Sequence, residues 1–216
     1  MINRTMEIYK LVFSPIDVNT YIVADETSDC AIIDCGCYDK KECNELERFI
    51  STRKLNPVVL LNTHCHLDHI FGNKFILEKY NLKTNSSEFD EINRKNSVQH
   101  AILFGLSMDQ PPEPGKFLTE NDTVKFGTSE FKVLHVPGHS PGSLSFYSEK
   151  GNCIFTGDAL FAGSIGRTDL PGGDYETLIE NIKNKLFVLP PTTVVYAGHG
   201  NETTIEREMT SNPFFT

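Results

Sequence analysis

The stretch Thr63-His64-Cys65-His66-Leu67-Asp68-His69 directly follows a short apolar run that reads as a buried strand. In an extended segment alternate side chains share one face, so His64, His66 and Asp68 can point into one space. His69 joins them if the chain turns there into the start of a helix, where the carboxylate of Asp68 is also favoured. Imidazole nitrogen and carboxylate oxygen are ligands that divalent cations take. The stretch therefore predicts a metal site at the end of a strand.

Three later segments place a further candidate ligand where a predicted strand ends. His139 lies in a tight turn beside Gly138, Asp158 follows the run Phe155-Thr156-Gly157, and His199 stands between two glycines. In layered α/β folds the carboxyl ends of strands are the usual rim for ligands, so we expect all four segments to meet at one edge. Five of the seven histidines belong to this set, and only His100 and His135 remain outside it.

The rest of the chain alternates short β-branched or aromatic runs with amphipathic segments. The predicted strands cover residues 7–13, 20–23, 30–34, 58–61, 124–126, 131–136, 143–147, 153–155 and 194–197. The predicted helices cover residues 40–54, 71–80 and 175–186. No linker interrupts this order, so we expect an α/β fold in which residues 1–216 form a single domain with two sheets covered by helices.

Residues 87–115 interrupt this rhythm with a polar, helical stretch followed by Pro111-Pro112-Glu113-Pro114-Gly115. We expect this segment to form a roof over or beside the site, where it shapes the substrate pocket rather than the core.

Composition restricts the classes of partner. The 29 acidic and 20 basic residues give a net charge of −9, which disfavours a nucleic-acid partner. No apolar run approaches the ~20 residues of a membrane helix. The first residues lack the apolar block of a signal peptide, and the six cysteines form no Cys-x-x-Cys motif. We therefore expect a cytoplasmic protein with reduced thiols and a small-molecule substrate; the sequence leaves the oligomeric state open.

The pattern Thr-His-x-His-x-Asp-His, followed by a single His, Asp and His on later strand ends, resembles that of the metallo-β-lactamase superfamily. The resemblance implies an αββα sandwich, with two mixed sheets flanked by helices and a site at their edge. It also implies a first metal held by His64, His66 and His139, a second held by Asp68, His69 and His199, and a bridging Asp158. Asp34 resembles the family's structural aspartate near the site.

The all-His/Asp ligand set, with residues 157–161 and 166–169, resembles the short bacterial glyoxalase II-like group. This resemblance implies a dinuclear hydrolase that attacks a thioester, such as a 2-hydroxyacyl thiol conjugate, with a hydroxide bridging the metals. Zinc is the first expectation for both divalent ions, with iron or manganese as alternatives. Asp68 is the expected catalytic residue, because it can orient the attacking water or move its proton.

Two residues are candidates for substrate binding. Arg167, in a glycine-rich loop, can fork onto a carboxylate of a glutathione-like carrier; the alternative is that it pairs with Asp169 or Asp174 and holds the loop. Tyr175, at the start of a predicted helix, is the second candidate.

Two other functions remain open. The Gly166-Arg167-Thr168-Asp169 portion also resembles persulfide dioxygenases, in which one iron is held by two His and one Asp, here His64, His139 and Asp158. A non-catalytic metal-binding scaffold is the third hypothesis. Metal identity and oxygen consumption discriminate among these functions.

Overall fold

The computed structural model describes residues 6–216 and contains two six-stranded sheets. In the first sheet β1, β2 and β3 pair antiparallel, and β3 to β6 pair parallel in chain order. The strands of this sheet are β1 (Glu7–Phe13), β2 (Val18–Ala24), β3 (Asp29–Ile33), β4 (Asn56–Leu61), β5 (Thr84–Ser86) and β6 (Lys116–Phe117).

The second sheet has the order β14-β13-β10-β9-β8-β7 and is antiparallel except for the parallel pair β10 and β13. Its strands are β7 (Thr123–Phe126), β8 (Ser129–His135), β9 (Leu144–Ser148), β10 (Cys153–Gly157), β13 (Val194–Ala197) and β14 (Thr203–Thr204). Between β10 and β13 in the chain, β11 (Leu160–Phe161) and β12 (Ser164–Ile165) form a small hairpin.

The main core lies between the two sheets. Strand β2 shows how side-chain alternation builds it: Tyr21 and Val23 pack against residues of the second sheet, such as Phe155, whereas Ile22 packs on the opposite face. Because β2 is buried on both faces, its second half, Tyr21 to Ala24, is a continuous apolar run rather than an alternating one.

Helices cover both outer faces and complete the predicted αββα sandwich, which is confirmed. The helices are α1 (Lys40–Arg53), α2 (Leu67–Ile70), α3 (Asn73–Tyr80), α4 (Glu91–Leu103), α5 (Tyr175–Asn181) and α6 (Ile205–Ser211). Leu46 of α1 and Ile76 of α3 are buried against the first sheet. Leu178 of α5 and Ile205 of α6 are buried against the second.

The helix boundaries differ from the predicted ones by more than one residue in two places. The predicted helix 71–80 is preceded by the separate short helix α2, and α3 itself begins at Asn73. The predicted helix 175–186 is α-helical only to Asn181 and continues as a π-helical turn, Ile182–Leu186, whose first and last side chains are buried. Helix α1 begins after the N-cap Asp39, which accepts a hydrogen bond from the Glu42 amide.

The segment 87–115 consists of a 3-10 turn, Glu88–Asp90, then α4 and an extended proline-rich stretch. Its inner face is buried, but the residues there are mostly polar, and the hydrophobic core clusters contain none of them. Arg94 is buried, pairs with Glu91 and donates to the Pro111 carbonyl oxygen at 2.8 Å. This contact holds the proline-rich stretch against α4.

None of the helices formed by residues 6–216 is long and apolar enough to cross a membrane. All six cysteines are free, and five of them are buried. The fold therefore rests on packing rather than on cross-links.

Candidate metal centre

The quoted histidine stretch changes from extended to helical backbone within a few residues. Strand β4 ends at Leu61, and α2 begins at Leu67, directly after His66. Asp68 and His69 therefore lie in α2, whereas His64 and His66 lie in the extended part before it. This is the turn that His69 requires in order to face the other ligand candidates.

The other candidates also follow strand ends at the same edge of the sandwich. His139 follows β8, Asp158 follows β10 directly, and His199 follows β13. Strands β10 and β13 are parallel neighbours, so their carboxyl ends meet. The edge predicted from the sequence thus holds all four segments.

Three imidazoles form the first group of converging donor atoms. Nε2 of His139 lies 2.8 Å from Nδ1 of His66 and 3.2 Å from Nε2 of His64. These three nitrogens form one of the groups whose ligand atoms all lie within 4.8 Å of one another.

A second group lies beside the first. Nε2 of His199 and Nε2 of His69 lie 3.1 and 3.5 Å from Oδ2 of Asp68. The carboxylate of Asp158 stands between the two groups: Oδ1 lies 3.4 Å from Nε2 of His69, and Oδ2 lies 3.7 Å from Nε2 of both His139 and His199.

Outer hydrogen bonds orient four of the five imidazoles so that Nε2 faces the centre. The Nδ1 atoms of His69, His139 and His199 donate to Asp34 Oδ2, the Arg167 carbonyl oxygen and the Asp17 carbonyl oxygen, at 3.0, 2.8 and 3.0 Å respectively. The fourth, Nδ1 of His64, lies 3.1 Å from Oγ1 of Thr63, which itself donates to Asp34. Such contacts hold imidazole ligands in the tautomer that offers Nε2.

The protonation behaviour of His64 and His66 fits cation binding. Burial lowers the pKa of His64 well below its usual range. Burial and the neighbouring His139 lower the pKa of His66 to about 3. Both rings are therefore neutral at physiological pH and offer lone pairs rather than positive charge.

The carboxylate side of the centre is anionic. Burial favours the neutral acid at Asp158, but His69 outweighs it and holds the pKa of this carboxyl well below its usual range. Burial disfavours charge on His69, yet Asp68 and Asp158 outweigh it and raise the pKa of His69 well above its usual range. Nε2 of His69 and Oδ1 of Asp158 are buried without a hydrogen-bond partner. Converging lone pairs, paired carboxylates and two unpartnered polar atoms fit divalent cations.

Gly198 shows how closely the backbone approaches this centre. A Cβ atom at this position would collide with Oδ1 of Asp158 and with the ring of His69. Glycine before His199 therefore lets the last strand come close enough to place its imidazole.

A cavity of about 380 Å³ opens above the donor atoms. His66, Asp68, His139, Asp158 and His199 line its polar side. Asn93, His100, Leu103 and Phe104 of the 87–115 segment line another side, so this segment does form a wall of the cavity.

The two substrate-binding candidates take different positions. Arg167 lines the cavity, but its Nε and Nη2 atoms donate to the two carboxylate oxygens of Asp169 at 2.7 and 2.8 Å. This is the loop pairing that the sequence predicts as the alternative to carrier binding. Tyr175 is 44% exposed and does not belong to the residues that line the cavity.

Sequence reasoning missed Asp90, which ties the ligand loops together. This buried carboxylate accepts hydrogen bonds from the Cys65 amide at 2.7 Å, the Gly142 amide at 2.8 Å and Oγ of Ser140 at 3.0 Å. No spacing pattern marks Asp90, because two of its partners are backbone groups. The sequence likewise indicates no role for His100, and only the folded chain brings it to the cavity.

Comparison with known proteins shows which family this chain matches. The family profile described as the metallo-beta-lactamase superfamily matches residues 14–199. Hydroxyacylglutathione hydrolase GloC of Haemophilus influenzae is 39% identical over 198 residues, which cover 91% of this chain and 92% of that protein.

Two solved structures are similar over nearly the whole chain. BLEG-1 B3 metallo-beta-lactamase superposes with a TM-score of 0.88 at 33% identity, covering 97% of this chain and 100% of that one. TTHA1623 in a di-iron-bound form superposes with a TM-score of 0.86 at 37% identity, covering 95% of this chain and 99% of that one.

Proposed function

This chain belongs to the metallo-β-lactamase superfamily, and on that basis we propose that it is a dinuclear metal-dependent hydrolase that cleaves thioesters, as glyoxalase II does. The observation that carries the proposal is the pair of donor groups with the carboxylate of Asp158 between them, at the base of a cavity of substrate size. The printed name of GloC, a hydroxyacylglutathione hydrolase, supports a thioester substrate.

The proposed ligand sets follow the two groups. His64, His66 and His139 hold the first cation, Asp68, His69 and His199 hold the second, and Asp158 is shared. Zinc suits this set of nitrogen and oxygen donors, and iron or manganese are the alternatives. The di-iron form of TTHA1623 supports iron as the first alternative.

Bound divalent cations would supply a water of lowered pKa and a positive charge for the developing oxyanion. The side chains of the protein position the substrate and the attacking water. Asp68 lines the cavity and is ionised, because its pKa is lowered: burial opposes this, but the neighbouring His69 outweighs it. We propose that its carboxylate orients the attacking water and accepts a proton from it. The hydrogen bonds of the Nδ1 atoms hold the imidazole ligands in position while the substrate is converted to product.

The test is metal analysis of protein purified without chelator, combined with a thioesterase assay on a 2-hydroxyacyl glutathione thioester. We expect about two ions per chain and hydrolysis that Asp68→Asn reduces by roughly 100-fold or more without loss of folding. Metal-loaded protein that hydrolyses no thioester would contradict the proposal.

A persulfide dioxygenase-like iron oxidoreductase is the second candidate, and one arrangement favours it. Nε2 of His139 lies 3.2 Å from Nε2 of His64 and 3.7 Å from Oδ2 of Asp158, so a two-His, one-Asp set is present within the larger cluster. One iron per chain with oxygen uptake on glutathione persulfide would select this function. Turnover of neither substrate by metal-loaded protein would favour a non-catalytic metal-binding scaffold.

A further inference from the structure

One wall of the cavity is apolar. Six apolar side chains, drawn from the β1–β2 turn, α2, the end of α4 and the loop before α5, face the space above the donor atoms. They are Ile16, Leu67, Leu103, Phe104, Leu170 and Pro171. A substrate whose carbonyl faces the donors would therefore place another part of itself against hydrocarbon.

The end of α4 contributes the most exposed part of this wall. Leu103 is 81% exposed and Phe104 is 57% exposed. The buried face of α4 is formed by other residues, including Arg94 and Ala101, so helix packing does not require large apolar groups here. Exposed apolar surface beside a cavity is a candidate contact surface for a ligand.

The described residues that line the cavity offer no unpaired lysine or arginine to an anionic carrier. Among the residues of the described chain that line it, Arg167 is the only lysine or arginine. Its guanidinium already donates two hydrogen bonds to Asp169. Carboxylates of a carrier such as glutathione would have to displace this pairing in order to be bound.

These observations rest on the proposed thioester hydrolysis and refine it. We propose that the preferred substrate is a thioester with an apolar acyl group, an aliphatic chain of several carbons or an aromatic ring, and that Leu103 and Phe104 select it. Water adds to the thioester carbonyl carbon, the carbon–sulfur bond breaks, and the products are the carboxylic acid and the thiol, which takes the second proton of the water.

The test compares two thioesters of one small neutral carrier, N-acetylcysteamine, that carry a hexanoyl or a 2-hydroxypropanoyl group. We expect wild-type kcat/KM to favour the hexanoyl compound by roughly 10-fold or more, because apolar contacts distinguish substrates by factors of this size. Leu103→Ala and Phe104→Ala should each remove most of that preference. Ile102→Ala is the matched control, since Ile102 is 67% exposed and adjacent but does not line the cavity.

Calorimetry with the thioether S-hexyl-N-acetylcysteamine gives a readout that needs no turnover. We expect binding to the wild type and to Ile102→Ala that is about 10-fold tighter than to Phe104→Ala. Equal kcat/KM for the two acyl groups, or a preference that survives in both wall variants, would overturn the inference. If neither of these thioesters nor the 2-hydroxyacyl glutathione thioester is hydrolysed, the proposed thioesterase function fails. Thioether binding that Phe104→Ala leaves unchanged would overturn the apolar wall in either case.

Discussion

Oδ2 of Asp34 lies 3.0 Å from Nδ1 of His69, deep beneath the candidate metal centre. The same carboxylate accepts hydrogen bonds from the amide and the hydroxyl of Thr63, so it joins the end of β4 to α2. Asp34 has a φ of 53°, a left-handed conformation that aspartate and asparagine tolerate better than most residues. One buried side chain thus sets both the orientation of His69 and the path of the ligand loop.

Replacing Asp34 should weaken metal binding without touching a ligand. We expect Asp34→Asn to keep the backbone conformation and to lower metal affinity by about 10- to 100-fold, because the charged acceptor that orients His69 is lost. Competition with a chelator of known affinity measures the change. Asp109→Asn removes an exposed carboxylate that pairs with Lys74, and it should leave affinity unaltered. Undiminished affinity in Asp34→Asn would argue against an orienting role.

If the carboxylate of Asp158 is shared by both metal sites, replacing it and replacing Asp68 should have different effects on metal content. Asp158→Ala should lose both ions, because it removes a donor from each proposed site, whereas Asp68→Ala should retain about one. Elemental analysis after desalting distinguishes them. Full occupancy in Asp158→Ala would contradict the bridging assignment.

Through Asp90, the roof segment contacts the ligand loops in addition to forming a wall of the pocket. We expect Asp90→Ala to lower the free energy of unfolding by about 3 kcal/mol and to reduce metal content, since two buried amides lose their hydrogen-bond acceptor. Urea denaturation and elemental analysis measure the two effects. Glu88→Gln, an exposed change in the same 3-10 turn, serves as the control. Stable, fully metallated Asp90→Ala protein would show that the ligand loops hold their shape without the roof.

The pairing of Arg167 with Asp169 predicts a gain of activity. Asp169→Ala should free the guanidinium and raise kcat/KM for a glutathione thioester by about 10-fold, the order expected for a charge-assisted hydrogen bond. The value for an N-acetylcysteamine thioester should not change. Arg167→Ala should affect the two carriers equally. A selective loss for the glutathione compound in Arg167→Ala would instead support the carrier-binding role considered from the sequence.

The environment of Asp25, which is not part of the metal centre, predicts a pH dependence of the free energy of unfolding. Burial favours its neutral form, but hydrogen bonds from Thr27 and Thr128 outweigh it and lower the pKa of Asp25. A carboxyl with a lowered pKa in the folded state adds stability above its unfolded pKa, and that stability is lost as pH falls through the folded value. We expect Asp25→Asn to cost about 1–3 kcal/mol at neutral pH and much less near pH 3. A difference between wild type and variant that does not depend on pH would refute this account.

The sequence by itself determined the family, the sandwich and the set of side chains that meet at one edge. These features can be predicted from the sequence because each depends on a short stretch of the chain. The stretches are apolar runs of strand length, a helix start after His66, and histidine or aspartate where a strand ends. Side-chain alternation and the direction of the strands then bring those ends together. The short π-helical turn after Asn181 escaped this reasoning, because its apolar spacing resembles that of an ordinary helix.

Only the tertiary structure decided what surrounds that edge. Asp90 accepts a hydrogen bond from Gly142, 52 residues away, and this contact exists because α4 packs beside α2 rather than because of any spacing in the chain. The same packing brings His100, Leu103 and Phe104 to the cavity. For Arg167 the sequence offered two kinds of partner, and the conformation of its loop selected Asp169. Local sequence determines which groups a strand or helix carries, whereas the identity of their neighbours depends on how distant elements pack.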